Sequence, residues 1–374
     1  MTKAPYFDIK EEVEETYSND DIYNITSWGA DLSFRELITM YDENELLKPE
    51  LQRHYVWDKV EASRFIESLL LGLPVPSIFL ANTADGHKLI IDGYQRIMTV
   101  YDYVKGLWTK DNRVFRLSNS DKINSRWRNK SFTELSAAEQ RKIRSTTIHA
   151  IIFEQTKPQE DDTSLYQIFE RINTGGRALY PQEIRNCVYQ GPLNTLLFKV
   201  NKNPVWREYM GSLPDTRMKD IEFILRYFSL NTDKVKYAQK GNISLKKLLN
   251  EFMGEKKNNH VDFITRLESN FTETVQFIHN NFGADAFHNT IGGDRNKIRK
   301  RFYPTIFDSL MVATTIAMSE LKDNIQNQDL ESKRLDLLEN QEYRKFISEG
   351  TMQVDSIHGR ISLALKVLYG IDYK

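Results

Sequence analysis

Short apolar runs and helical spacings alternate along the first half of the chain, which predicts a mixture of strands and helices. Ser77–Ala81 and Lys88–Ile91 are short apolar runs on either side of a polar turn, the pattern of two buried strands. After the second run, apolar residues follow the i, i+3, i+4, i+7 spacing of one helix face, at Ile97, Val100, Tyr101 and Val104. Gly106 is a residue type that commonly ends a helix.

Capping residues and a β-branched run predict the neighbouring elements. A capping box opens a helix from Ser33 to about Tyr41, and Asp58 caps a second helix that ends near Gly72. The run Thr146–Phe153 is rich in β-branched residues and predicts a third strand. Pro181 suits the first turn of a further helix, which ends before Gly191.

Beyond Gly191 the strand signals nearly vanish, and helical spacings take over. They predict helices at residues 217–230, 244–253, 261–282, 303–321 and 356–368. We therefore expect an N-terminal arm over residues 1–25, a mixed domain over 26–190 and a helical C-terminal domain over 191–374. The predicted fold class is α+β with a mostly α-helical second domain.

Composition narrows the class of protein. The chain of 374 residues is 40% hydrophobic, as in globular proteins, and its net charge of −1 restricts any nucleic-acid contact to local basic patches. Cys187 is the single cysteine, which excludes an internal disulfide and fits a reducing cytoplasm. Glycine, proline and glutamate interrupt the longest apolar region, Phe65–Leu80, so we expect a cytoplasmic protein with no membrane partner.

Several catalytic motifs are missing from the sequence. It has no G-x-x-x-x-G-K-[ST] phosphate loop and no H-E-x-x-H or paired-cysteine zinc motif. The seven histidines are scattered, without the compact His/Asn/His set of a ββα-metal nuclease. A P-loop NTPase is therefore excluded, and nuclease activity is not expected from these motifs.

Two basic stretches are candidates for contacts with DNA. Residues 110–144 carry ten basic against four acidic side chains, with aromatic residues interleaved, as in single-strand binding surfaces. Residues 294–301 form the second stretch. The candidates in the two stretches are Arg126, Arg128 and Lys130, and Arg299, Lys300 and Arg301. The alternative is a solvated charged face with no ligand.

The junction after Ile91 is the main candidate site. Asp92 and Gly93 lie between a buried strand and a helix start, with Gln95 and Arg96 in the first helical turn. Free backbone N–H groups and the helix dipole favour an anion there. Gly93 would let the anion approach the backbone, and Arg96 would grip it with two hydrogen bonds. A plain structural turn remains the alternative.

Several segments, taken in order, point to one family. They are Gln52–Trp57, Ile66–Pro76, Ile91–Ile97, Phe169–Gly176 and Glu183–Asn186. Together they resemble the N-terminal domain of the GmrSD-type modification-dependent restriction enzymes, within the ParB/sulfiredoxin-like superfamily, and the resemblance covers about residues 25–190.

The resemblance implies an α+β, ParB-like nucleotide-binding core whose Asp-Gly-Gln-Gln-Arg motif handles a nucleoside triphosphate. On this chain the motif is Asp92, Gly93, Tyr94, Gln95 and Arg96. Tyr94 stands where the family usually has glutamine, a departure that bears on hydrolysis more than on binding.

The resemblance also implies nucleotide-binding roles outside the motif. Gln52 and Arg53 match the family's Gln-Arg pair, and Asn173, Glu183 and Asn186 match its later polar motif. Its relatives often act in defence against phage, with an HNH nuclease that is fused or supplied as a partner.

Chemical roles at the motif follow from the residue types. Arg96 and the N–H groups after Gly93 would hold phosphates, and Asp92 would hold Mg²⁺ or orient water. Gln95 would position the attacking water, and Arg53 would add charge stabilisation. The expected cofactor is a nucleoside triphosphate with Mg²⁺.

The leading hypothesis is therefore a nucleotide-binding subunit of a bacterial anti-phage defence or modification-dependent restriction system. NTP hydrolysis is a candidate activity of this subunit. A separate nuclease or methyltransferase subunit would be its partner. One alternative is a DNA-binding protein or nicking endonuclease that uses the ParB-like core. Another is a catalytically silent adaptor that binds a partner through its helical half.

Overall fold

A computed structural model of the chain describes most of its residues and divides it into two compact units. The boundary lies between Gln190 and Gly191. The described residues are 24–47, 57–83, 86–157, 166, 168, 170, 172, 180–255, 258, 260–322, 325 and 329–373.

A five-stranded mixed sheet organises the first unit. The strands of this unit are β1 (Asn24–Ser33), β2 (Leu46–Leu47), β3 (Ile78–Asn82), β4 (Lys88–Asp92), β5 (Leu107–Trp108), β6 (Arg113–Val114) and β7 (Thr147–Lys157). The sheet order is β1-β7-β3-β4-β2, and β5 pairs with β6 in a separate small ladder. β3 runs antiparallel to β4 and parallel to β7, while β2 runs parallel to β4.

Helices of the first unit pack with this sheet into one hydrophobic core. They are α1 (Phe34–Asp42), α2 (Lys59–Leu71), α3 (Tyr94–Lys105), α4 (Ala137–Ser145) and α5 (Pro181–Val188). Helices α1 to α4 pack on one another, and their apolar stripes meet the sheet in one buried cluster. Phe34, Ile66, Leu80, Ile90 and Val100 are buried in that cluster. The fold class is α+β, as predicted.

The predicted capping boxes are confirmed. Ser33 accepts a hydrogen bond from the Glu36 backbone N–H, and Asp58 accepts from the N–H of Glu61. In both boxes the glutamate carboxylate accepts a hydrogen bond from the capping residue's own N–H. These reciprocal bonds fix where α1 and α2 begin.

Strand β1 is the main element that the sequence pattern did not predict. Its ten residues pair antiparallel with β7 over the whole length, from Asn24 to Ser33. The strand carries mostly small and polar side chains, so its apolar alternation is weak, and backbone pairing to β7 determines it instead.

The second unit is mostly helical. Its helices are α6 (Pro192–Val200), α7 (Pro204–Met210), α8 (Lys219–Leu230), α9 (Asp233–Lys236), α10 (Leu245–Gly254), α11 (Val261–Phe282), α12 (Pro304–Leu321), α13 (Leu330–Glu339), α14 (Gln341–Phe346) and α15 (Val354–Ala364), which continues as a π-helix over Leu365–Tyr369. All five long helices predicted here are present within a few residues of their predicted bounds. In the described part of the chain no helix is long and apolar enough to cross a membrane.

A β-hairpin corrects the expectation that strands are nearly absent from this unit. Strands β8 (Asn289–Ile291) and β9 (Asp294–Arg299) pair antiparallel across a two-residue turn. Gly292 and Gly293 form that turn with φ values of +66° and +85°, a backbone conformation that favours glycine. Apart from Ile291 and Ile298 the strand residues are polar, so hydrophobic patterning did not predict the hairpin.

Candidate functional site

The β4–α3 junction is shaped by a glycine. Gly93 follows β4 with φ +100° and is the N-cap of α3. A Cβ at this position would lie 2.3 Å from the Cγ2 atom of Ile78 in β3. Both the positive φ and the close packing require glycine, so Gly93 has a structural reason to be there independent of any ligand.

Helix α3 begins without a side-chain cap, as far as the described residues show. Its first-turn N–H groups and the positive end of its dipole therefore lie next to the last residue of β4, Asp92. The Asp92 side chain is 45% exposed, so its carboxylate is accessible to solvent at the end of the strand.

Arg96 is engaged within the protein. Its Nη2 donates to Asp92 Oδ2 at 2.6 Å, and its Nη1 donates to the carbonyl oxygens of Pro76 and Ser77, both at 2.9 Å. The side chain is only 12% exposed. We expected this guanidinium to grip an external anion; instead it connects the end of β4 to the segment that enters β3. It fixes the position of the Asp92 carboxylate.

Gln95 connects the same helical turn to another part of the chain. Its Oε1 accepts a hydrogen bond from the Trp57 backbone N–H at 3.3 Å. Trp57 directly follows the sequence segment that contains Gln52 and Arg53. These two predicted binding residues, like Asn173, lie outside the described residues.

Tyr94, the departure from the family motif, packs against the core cluster. Burial, with the nearby Tyr41 and Asp102 side chains, raises its pKa to about 12, so the phenol is neutral at physiological pH. An aromatic side chain at this position buries apolar surface that a glutamine would not. Its contacts explain the residue by packing.

The predicted residues Glu183 and Asn186 lie on α5, a short helix whose polar side chains are almost fully buried. Glu183 accepts a hydrogen bond from the Tyr180 N–H at 2.8 Å, and Asn186 Oδ1 accepts from Gln182 Nε2 at 3.1 Å. Arg185, which was not among the predicted binding residues, is fully buried and donates to Gln182 Oε1 at 3.1 Å.

Burying four polar side chains on one eight-residue helix is costly unless each has partners. This density of buried polar groups makes α5 a second polar centre of the first unit. The signal available in the sequence was the run of charged and amide residues after Pro181, in which Gln182 was overlooked.

The junction can offer a divalent cation one carboxylate. Among the described residues no cluster of three or more His, Cys, Asp or Glu side chains could hold a metal by itself. Mg²⁺ often uses only one or two carboxylates together with substrate phosphates, and Asp92 Oδ1 is available because Arg96 binds Oδ2. The residues present therefore fit a phosphate-bound Mg²⁺.

The first basic stretch is not an aromatic stacking surface. The interleaved aromatic residues Trp108, Phe115 and Trp127 are at most 5% exposed and belong to the core cluster. Trp108 and Phe115 pack edge to face with ring centroids 4.1 Å apart. Their burial corrects the comparison with single-strand binding proteins, whose aromatic rings must be exposed to stack on bases.

The three candidate cations of this stretch differ in their surroundings. Arg128 donates to the backbone carbonyls of Ile123 and Asp121 and so stabilises its own loop. Arg126 pairs with Glu139 at 2.8 Å but remains largely exposed, and Lys130 is half-buried. Only Arg126 presents its charge mainly to solvent.

The second basic stretch covers β9 and the residues after it. Arg295 pairs with Asp336 and Glu339, and Lys297 pairs with Asp294. Arg299 and Lys300 are exposed and have no acidic partner in the described parts of the chain, whereas Arg301 is half-buried over the Tyr303 ring.

A comparison with known protein families gave a match within the first unit. Residues 34–190 match the family described as "GmrSD restriction endonuclease, N-terminal domain". Over these residues the chain is similar to a GmrSD N-terminal domain. The match contains the β4–α3 junction and α5, covers less than half of the chain, and indicates a role related to restriction or defence. A search of curated proteins found no match.

Proposed function

We propose that the GmrSD N-terminal domain of this chain is a ParB-like core that binds a nucleoside triphosphate. The chain would be the nucleotide-binding subunit of a bacterial modification-dependent restriction or anti-phage defence system. A separate nuclease or methyltransferase subunit would act on the DNA. One observation carries the proposal: an exposed Asp92 carboxylate, fixed by Arg96, lies beside the N-terminus of α3, whose N-cap residue is Gly93.

The phosphates would lie against the first-turn N–H groups of α3, where the helix dipole favours negative charge. Asp92 would contact Mg²⁺ through Oδ1, and the bound ion would neutralise phosphate charge. Arg96 acts as a positioning residue, because its three hydrogen bonds hold Asp92 and the Pro76–Ser77 segment in place. Glu183 and Asn186 on α5 remain candidates for contacts to the rest of the nucleotide.

Binding, rather than hydrolysis, is the primary activity proposed. The Gln95 carbonyl, the group that would orient an attacking water, already accepts a hydrogen bond from Trp57. Turnover would require that bond to be exchanged for one from water. Measuring phosphate release from a panel of triphosphates, with and without modified DNA, separates binding from hydrolysis.

Titration calorimetry with Mg²⁺ and each triphosphate tests the proposal on the full chain. We expect Asp92→Asn to weaken binding at least about tenfold, because a charged ligand contact is lost. The matched control is Asp42→Asn, which removes an aspartate that pairs with Lys105 at the other end of α3. Absence of binding by the unmodified chain, or equal loss in both variants, would refute the site.

DNA binding through the second unit is a second candidate function. It is favoured by Arg299, the last residue of β9, and by Lys300 after it, which are exposed, whereas Arg295 and Lys297 on the same strand are paired. If they contact phosphates, affinity for duplex DNA should fall steeply with salt, and the double variant Arg299→Gln, Lys300→Gln should reduce the slope by about two. An unchanged slope would exclude them.

A further inference from the structure

The second unit contains a cavity of about 800 Å³ that the first unit's candidate site does not involve. It lies among the C-terminal end of α8, the short helix α9, the middle of α11 and the last turns of α12. Its size is in the range of pockets that bind small organic molecules. Its lining combines charged and amide side chains with apolar ones such as Phe277 and Ile316, which suits a ligand with both polar and apolar parts.

A cluster of hydroxyl groups forms the floor of this cavity. Thr315 Oγ1 donates to the Met311 carbonyl at 2.8 Å. The hydroxyls of Tyr227 and Thr274 lie 2.8 and 2.9 Å from Thr315 Oγ1, and Thr274 Oγ1 also donates to Met318 Sδ at 3.9 Å. Burial raises the pKa of Tyr227 to about 12, so its hydroxyl keeps its proton.

Hydrogen-bond acceptors line the cavity beside this cluster. Asn231 and Asn270 line it, and their side-chain amides make no hydrogen bond to a described residue. Thr274 lines it too, and its hydroxyl oxygen can accept a hydrogen bond. A ligand with N–H groups would satisfy the two amide oxygens.

The rim of the cavity carries cations without acidic partners. Lys236, Arg266 and Lys322 line it, and no carboxylate in the described parts of the chain lies within salt-bridge distance of them. By contrast Lys234, two residues before Lys236 on α9, pairs with Glu251. Two carboxylates, Glu273 and Glu320, also line the cavity, so its net charge is only slightly positive.

We propose that this cavity binds a nucleoside phosphate. The three unpaired cations would hold the phosphate, and the half-buried Phe277 ring on α11 offers a face for the base. The N–H groups of the base would donate to Thr274 and to the amide oxygens of Asn231 and Asn270. The site is independent of the triphosphate site proposed on the first unit, since it uses none of its residues.

Hydrogen exchange on the full chain tests the proposal with a readout local to the cavity. The probes are the four common nucleoside monophosphates, with adenosine and inorganic phosphate as separate arms. We expect a monophosphate to slow exchange in residues 266–277 and 315–322. Lys236→Gln and Thr274→Val should each weaken that effect about tenfold in ligand concentration.

Two controls locate the effect. Lys234→Gln changes a lysine on the same short helix that faces Glu251, and Asp92→Asn disables the other proposed site; neither should alter protection at the cavity. Protection by inorganic phosphate alone at the same concentration would overturn recognition of a nucleoside. Absence of protection with every probe, or an equal loss in Lys234→Gln and Lys236→Gln, would overturn the site.

Discussion

Replacing Arg96 by alanine tests whether this residue positions the end of β4 or serves only to bind an anionic ligand. The change removes three hydrogen bonds, one to the Asp92 carboxylate and two to the carbonyls of Pro76 and Ser77. If positioning is its role, the variant should lose stability even in the absence of nucleotide. If the side chain served only a ligand, stability would hardly change.

The expected magnitude follows from exposure. Asp92 is nearly half exposed, so its ion pair with Arg96 is worth about 0.5–1 kcal/mol after solvent screening. The two carbonyl contacts add about 1–2 kcal/mol together, because Pro76 is exposed and its carbonyl regains water when the guanidinium leaves. We therefore expect Arg96→Ala to lower the free energy of unfolding by about 1.5–3 kcal/mol.

Urea denaturation followed by tryptophan fluorescence is a suitable assay. Four of the five tryptophans, Trp28, Trp57, Trp108 and Trp127, precede Gly191 in the chain, so the signal reports mainly on the first unit. Asp92→Asn is the matched variant, since it removes the ion pair and leaves both carbonyl contacts. It should cost only about 0.5–1 kcal/mol.

The difference in unfolding stability between Arg96→Ala and Asp92→Asn measures the contribution of the two carbonyl contacts. Equal unfolding midpoints for Arg96→Ala and Asp92→Asn would show that the carbonyl contacts contribute nothing. A loss of triphosphate binding in Arg96→Ala with wild-type stability would refute the positioning role and restore a direct contact to the ligand.

Three further predictions concern other parts of the first unit. Gly93→Ala should destabilise it by about 2–4 kcal/mol in the same urea assay, whereas Gly106→Ala, at the other end of α3 with open space around it, should cost about 1 kcal/mol; similar losses would contradict the packing argument. A hydrogen bond from Trp127 lowers the pKa of Glu139 to about 2, so this contribution to stability is complete above the ordinary pKa of 4.5 and is lost as pH falls towards 2. Glu139→Gln should therefore flatten the stability profile between about pH 5 and pH 2, and an unchanged profile would exclude this contribution. Burial raises the pKa of the Cys187 thiol, so a thiol reagent should label the native chain only at the rate of unfolding, and rapid stoichiometric labelling would contradict its burial.

Local signals in the sequence were sufficient for the elements whose determinants are local. The capping residues Ser33 and Asp58 and the stripe on α3 depend only on residues a few positions away. Strand β1 depends on a partner more than a hundred residues later in the chain, and the β8–β9 hairpin on a Gly-Gly turn between polar strands. Neither determinant is visible in a short hydrophobic window.

The same distinction between local and distant determinants applies to the candidate site. The order Asp92, Gly93, Arg96 placed a carboxylate, a glycine and a guanidinium at a strand-to-helix junction, and the structure has them there. The partners of Arg96 could not be predicted, because the Pro76 and Ser77 carbonyls reach it through the packing of β3 beside β4. Likewise, the burial of the Trp127 ring could not be predicted, because it depends on helices that are distant in the sequence. The local alternation of basic and aromatic residues therefore suggested exposed rings.

The buried rings of Trp108, Phe115 and Trp127 have a consequence for how this domain can diversify. They anchor the long connection between β5 and α4 from the inside, so its attachment does not depend on the charges that it displays outward. Cations such as Arg126 can then be gained, lost or reversed among related proteins with little penalty in folding. A surface built in this way can be retuned for different partners while the scaffold beneath it stays the same.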